Sequence, residues 1–138
     1  MLNRSHSKIL IMTAVDAEQQ AVLRGLDGYE GADVQLAGVG PASAAASTAT
    51  ALARAGQTAD GPYSLVLSAG IGGGFAEVAG VGSLVVASEI IAADLGAETP
   101  DGFAGVDELG FGSPRIAVAD ELAARWAAAL REAGLPVH

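Results

Sequence analysis

The chain has 138 residues, the length of one ordinary domain, and its 16 acidic against 7 basic side chains give a net charge of −9. This acidity makes nucleic acid and membrane surfaces improbable partners, because both are polyanionic. The absence of cysteine excludes disulfides, thiolate metal sites and cysteine nucleophiles. The two histidines, His6 and His138, lie near the chain ends, which argues against an interior catalytic triad and a histidine-rich zinc site.

Buried-type strands and amphipathic helices alternate along most of the sequence. In chain order the patterns predict a strand at 8–14, a helix at 17–26, a strand at 33–38, a helix at 41–55, strands at 63–69 and 81–92, a loop at 94–114, and a helix at 119–133. The segment 115–119 fits either a strand or the start of that last helix. Asp16 stands at the expected N-cap of the first helix.

Repeated β-α-β order predicts an α/β fold with a mostly parallel sheet flanked by helices. No linker divides the sequence, so no second domain is expected. Because the chain stops just after a helix, where another strand would normally follow, we expect residues 1–138 to be the N-terminal part of a single α/β domain.

Several residues that suit a binding site follow directly after predicted strands: Glu18, Val39-Gly40, Gly70 to Gly73, and Asp94. Ligands of open α/β sheets bind at the carboxyl ends of the strands, so these residues are candidates for one site. Taken singly, each has a simpler interpretation. Glu18 would complement the helix dipole, the glycines would form tight turns, and Asp94 would end a strand. Neither glycine turn has the third glycine of a dinucleotide fingerprint, so no nicotinamide cofactor is expected.

In this order the motifs resemble those of the nucleoside phosphorylase and nucleosidase superfamily. The similar segments are TAVDAE at 13–18, GVGPA at 38–42, SAGIGG at 68–73, and VG at 81–82 followed by Asp94. Segments 88–103 and 108–112 carry a narrower likeness to the futalosine hydrolase group of that superfamily.

The resemblance implies cleavage of the N-glycosidic bond of futalosine by water in menaquinone biosynthesis, with no cofactor and no metal. Glu18 matches the catalytic glutamate that deprotonates the water. The substrate-binding positions carried over are Ala14, Val39, Gly40, Ile71, Gly72, Gly73, Asp94 and Phe103. Val39 and Phe103 would line an apolar pocket for the aromatic 5′ group, although a loop phenylalanine is as often a packing anchor or a subunit contact.

Phosphorolytic relatives have an arginine where this chain has Ser68 and a serine where it has Ile71, so water is the expected nucleophile. The family's late motifs, an Asp or Asn for the leaving group and a Met-Glu pair for the ribose, do not occur here. Two alternatives stay open: a methylthioadenosine/S-adenosylhomocysteine nucleosidase, or a protein without catalysis, either a non-catalytic fragment or a small-ligand-binding α/β module. A small-molecule nucleoside substrate, a homodimer or higher homo-oligomer, and a cytoplasmic location complete the expectations.

Overall fold

The computed structural model describes residues 8–58 and 61–138, and His6 lies outside this range. The chain divides after Gly72 into two compact units. The first unit contains, in chain order, β1 (Ile9–Thr13), α1 (Asp16–Leu26), β2 (Ala32–Leu36), α2 (Pro41–Ala55) and β3 (Leu65–Ser68). These elements confirm the α/β class and the positions of both helices.

A three-stranded parallel sheet organises the first unit, with β1 between β2 and β3. Side chains alternate along β1, so Leu10 and Met12 share one face. Both are buried and form the core with Ala37 and with Ala51 of α2. The alanine side of α2 thus packs on its own sheet, and α1 contacts β1 and β2. The carboxyl ends of all three strands consequently lie at the same edge.

The second unit is built from short elements: β4 (Glu89–Ile91), β5 (Gly96–Thr99), β6 (Gly102–Gly105), β7 (Arg115–Ala117) and α3 (Asp120–Glu132). Its strands form two antiparallel pairs, β4 with β7 and β5 with β6. The parallel arrangement expected for the sheet is therefore confirmed for the first unit and is wrong for these four strands. The helix expected at 119–133 is confirmed.

Two predicted elements of the second unit are wrong. The strand expected over 81–92 is reduced to β4, because Leu84 pairs instead with Val137 in an isolated parallel bridge. The loop expected over 94–114 contains the β5–β6 hairpin. The Thr99 hydroxyl donates to the Gly102 carbonyl (2.7 Å) and accepts from the Asp101 amide (3.2 Å), which closes its turn. The ambiguous segment 115–119 is the strand β7.

The start of α1 also differs from the expectation. Val15, in extended backbone, is the N-cap, and Asp16 is the first helical residue. The Val15 carbonyl accepts the first helical hydrogen bonds, from the amides of Glu18 and Gln19. Glu18 is therefore the third residue of the helix. Across the described ranges, none of the helices has the length and apolar character needed to cross a bilayer.

Candidate functional site

Glu18 lies where the ends of β1 and β3 meet. Its side chain points back from the first turn of α1 to the residues that follow β1, and Oε2 accepts hydrogen bonds from the amides of Ala14 (2.9 Å) and Val15 (3.3 Å). Oε1 accepts a third, from the amide of Ile71 (2.8 Å). Since β1 and β3 are parallel neighbours, residues far apart in sequence hold a single carboxylate at the carboxyl edge of the sheet.

The backbone at Gly70 comes unusually close to this carboxylate. A Cβ atom placed on Gly70 would lie 2.8 Å from Glu18 Oε1 and 3.1 Å from its Cδ. Real Cβ atoms essentially never approach that closely, so a side chain at this position would displace the carboxylate. Gly70 is followed by Ile71, whose amide makes the hydrogen bond.

These amides favour the ionised form of Glu18. Hydrogen bonds from Ile71 and Ala14, with a smaller effect from Val15, lower the pKa of the carboxyl and outweigh the desolvation that would raise it. Within residues 8–58 and 61–138 the side chain forms no ion pair. A partly exposed, ionised carboxylate that no cation neutralises is suited to orient a water molecule and accept its proton.

Other predicted residues of the first unit follow strands at the same edge. Val39 and Gly40 come after β2, and Gly40 is the N-cap of α2, with a φ of 89°. Val39 is 74 % exposed and Ile71 is 89 % exposed, so both apolar side chains face outwards. Gly72 has open space where a side chain would lie. Direct contacts join Ala14, Ile71 and Gly70 to Glu18, and Val39, Gly40 and Gly72 share its edge of the sheet.

Three predicted residues belong to the second unit. Gly73 is its first residue, with open space beside its Cα. Asp94 is exposed in the turn between β4 and β5. Phe103 lies in β6 instead of the expected loop, and its ring covers Gly96, where a Cβ would meet the ring at 2.5 Å. The phenylalanine therefore packs within its own hairpin, one of the simpler interpretations of this residue.

Sequence reasoning missed two features of the site. Gly70 was expected to form a turn, and only the register of β1 with β3 reveals its approach to Glu18. Thr13, the last residue of β1, is 1 % exposed, and its hydroxyl has no hydrogen-bond partner within the described residues. The same residues contain no group of three His, Cys, Asp or Glu side chains that could hold a metal ion.

Comparison with known proteins agrees with this architecture. The sequence profile of the phosphorylase superfamily matches residues 17–138. The chain belongs to the phosphorylase superfamily. Membership in this superfamily confirms the resemblance drawn from the four motifs and the α/β fold class.

Two curated relatives within the superfamily are both named futalosine hydrolase. The protein of Streptomyces coelicolor (strain ATCC BAA-471 / A3(2) / M145) is 54 % identical over 121 aligned positions, and the match covers 76 % of this chain and 51 % of the relative. That of Acidothermus cellulolyticus (strain ATCC 43068 / DSM 8971 / 11B) is 43 % identical over 141 aligned positions, covering 93 % and 55 %. The chain thus spans about half the length of these relatives. No solved structure matches it significantly.

Proposed function

We propose that this chain carries part of the active site of a purine-nucleoside N-ribohydrolase that cleaves futalosine to hypoxanthine and dehypoxanthine futalosine. The observation that carries the proposal is the Glu18 carboxylate, held ionised between the ends of β1 and β3 by three backbone amides. The name shared by the two relatives supports futalosine as the substrate and menaquinone biosynthesis as the pathway.

In the proposed reaction, Glu18 orients a water molecule toward the anomeric carbon of the ribose and accepts its proton. The bond between that carbon and the purine nitrogen breaks, and its electron pair leaves with the purine, which takes up a proton from solvent to become hypoxanthine. Glu18 returns the proton that it accepted to solvent. The sugar passes through a positively charged, oxocarbenium-like state, which a nearby anionic carboxylate stabilises. The oxygen of the water forms the new bond to the sugar.

Water is the proposed nucleophile because the turn after β3 offers phosphate little binding capacity. Burying a phosphate dianion requires cations or several hydrogen-bond donors. Ser68 ends β3, residues 69–72 carry no charged side chain, and the Ile71 amide already donates to Glu18. Lys8, the only lysine, lies at the opposite end of β1 and pairs with Asp33 (3.3 Å).

The remaining expectations extend this proposal. Each position carried over from the resemblance is proposed as a nucleoside-binding residue: Ala14, Val39, Gly40, Ile71 and Gly72 of the first unit, and Gly73, Asp94 and Phe103 of the second. We propose that residues 1–138 form part of one nucleosidase-like domain, since they span about half of each relative. We also propose a homo-oligomer, commonly a dimer, acting in the cytoplasm.

The deciding experiment incubates the full-length gene product that contains this chain with futalosine, with and without inorganic phosphate, and measures hypoxanthine by chromatography. Hypoxanthine release that does not depend on phosphate is the expected result. A strict phosphate requirement would make the protein a phosphorylase. Release of adenine from methylthioadenosine in preference to hypoxanthine from futalosine would favour the alternative nucleosidase.

A further inference from the structure

We propose that Gly70 is a positioning residue for Glu18, because only a residue without a side chain at this point lets the carboxylate reach the Ile71 amide. The inference rests on the proposed function in one respect, the role of Glu18 as the base. Nothing in the resemblance to the superfamily assigns a role to Gly70 beyond its place in the glycine-rich turn.

The atoms nearest to Gly70 show that a side chain at this position would meet the Glu18 carboxylate. The three heavy atoms nearest to a hypothetical Cβ all belong to the Glu18 carboxyl group, at 2.8, 3.1 and 3.2 Å. Gly70 does not have the left-handed backbone that favours glycine elsewhere in the chain, such as at Gly40 and Gly82. The backbone of the turn is therefore compatible with an alanine. The feature that conflicts with an alanine methyl group is the close approach of the Glu18 carboxylate.

An alanine at position 70 would move the carboxylate and leave the fold in place. The contacted atoms are the far end of a flexible side chain, which can rotate away at low cost. Rotation would lengthen the 2.8 Å hydrogen bond from the Ile71 amide and disturb those from Ala14 and Val15. The base would then lie away from its working position, and misplacement by about 1 Å can cost about 100-fold in rate.

The same displacement would change the ionisation of Glu18. The Ile71 hydrogen bond is the largest of the effects that lower the pKa of this carboxyl, so its loss raises that pKa. No charged side chain occurs in residues 14–15, 37–40 or 69–72, and Asp16 is the nearby charge on α1 itself. A change in the pKa of Glu18 consequently reports its amide hydrogen bonds together with the hydration of the carboxylate, and not a neighbouring charge. Because the base acts in its ionised form, the acidic limb of the activity profile should move to higher pH.

The test compares alanine at two glycines of the same turn. Gly70→Ala and Gly72→Ala are made in the full-length gene product, and the pKa of Glu18 is followed by carbon NMR of labelled glutamate. Gly72 has nothing within 4 Å of its hypothetical Cβ and no left-handed backbone, so it is the matched control. We expect Gly70→Ala to raise the pKa of Glu18 and Gly72→Ala to leave it unchanged. Equal pKa values in both variants would overturn the proposal.

Activity gives a second readout in the full-length gene product. Gly70→Ala should lower hypoxanthine release about 100-fold through kcat and shift the acidic limb upward, while Gly80→Ala, with open space around it, should stay within about threefold of the parent. A parent that releases no hypoxanthine would refute the proposed function, whereas the NMR comparison would still decide the role of Gly70.

A double-mutant comparison keeps the proposal testable if Gly70→Ala destabilises the chain. The Glu18→Ala substitution removes the carboxyl atoms that the methyl group of an alanine at position 70 would meet. The drop in melting temperature caused by Gly70→Ala should then disappear in the Glu18→Ala background. A drop of the same size in both backgrounds would show that Gly70 acts on something other than Glu18 and would overturn the proposal.

Discussion

Glu18 makes the hydrogen bond of a helix-capping residue and another that capping does not explain. As the third residue of α1 it accepts a hydrogen bond from the Val15 amide, which is what a dipole-complementing glutamate at a helix start does. The same carboxylate also accepts from the Ile71 amide, 53 residues further along the chain. Helix capping does not require that second bond. The hydrogen bond from the Ile71 amide is therefore the feature that supports the proposed assignment of Glu18 to a site.

Replacing Glu18→Gln should abolish most hypoxanthine release while the fold persists. Glutamine keeps the size and one acceptor oxygen but cannot take a proton from water, and loss of a general base costs about 10² to 10⁴ in rate. The assay is hypoxanthine release from futalosine by the full-length gene product, with circular dichroism to verify folding. Asp16→Asn is the matched control, since Asp16 lies in the same turn of α1 and is exposed. Activity of Glu18→Gln within about threefold of the parent would remove Glu18 from the role of base.

The sequence was sufficient to predict Glu18 at a strand end, because the apolar run before it and the helical spacing after it are local signals. It was not sufficient to predict the Gly70 contact. That contact depends on β1 pairing with β3 in a register that sets Met12 beside Ser68, and no local pattern reports a pairing across so many residues. The burial of the Thr13 hydroxyl was likewise not predictable from the sequence, because threonine is common in any strand.

At the scale of elements, helices were predicted better than strands for a physical reason. α2 begins at Pro41 and ends before Gly56, and α3 ends shortly before Gly134, which has a left-handed backbone, so each has a local start or stop signal. The β5–β6 hairpin has strands of four residues that include three glycines, with little alternation to detect. Leu84 pairs with Val137 near the chain end, so a non-local partner decides the structure of residues predicted as one long strand.

The buried side chains of β1 that pack with Ala51 of α2 should contribute more to the stability of the first unit than the half-exposed end of β2. Leu10 is fully buried and packs with Met12 and Ala51, so Leu10→Ala should cost about 2–5 kcal/mol in the free energy of unfolding through lost burial and a cavity. Leu36→Ala, on the half-exposed end of β2, should cost clearly less. Urea unfolding followed by circular dichroism measures both. Equal losses in the two variants would mean that the β1–α2 contact is not the core of the unit.

At the scale of the whole molecule, the net negative charge and the exposed apolar side chains have opposite effects on self-association. The net charge of −9 favours dispersal in water. The second unit nevertheless exposes several large apolar side chains, by 63 % or more: Phe75, Val78, Val81, Val85 and Phe111. Single exposed apolar residues are ordinary, but a set of this kind in one small unit is typical of surfaces that other polypeptide covers. The rest of the proposed domain and a second copy of the chain are the two covers that the proposals above predict, and for the 138-residue chain by itself only the second is available.

Light scattering coupled to gel filtration should therefore give the 138-residue chain a mass of at least twice the 13.6 kDa of one copy, increasing with concentration. Val81→Glu should shift the mass toward one copy, because a charge placed on a fully exposed apolar position must lose water when that surface is covered. Ala128→Glu adds the same charge at an exposed position of α3, outside the apolar set, and should leave the mass unchanged. A mass of one copy at every concentration, in the parent as in the variants, would exclude self-association of this chain through its apolar side chains.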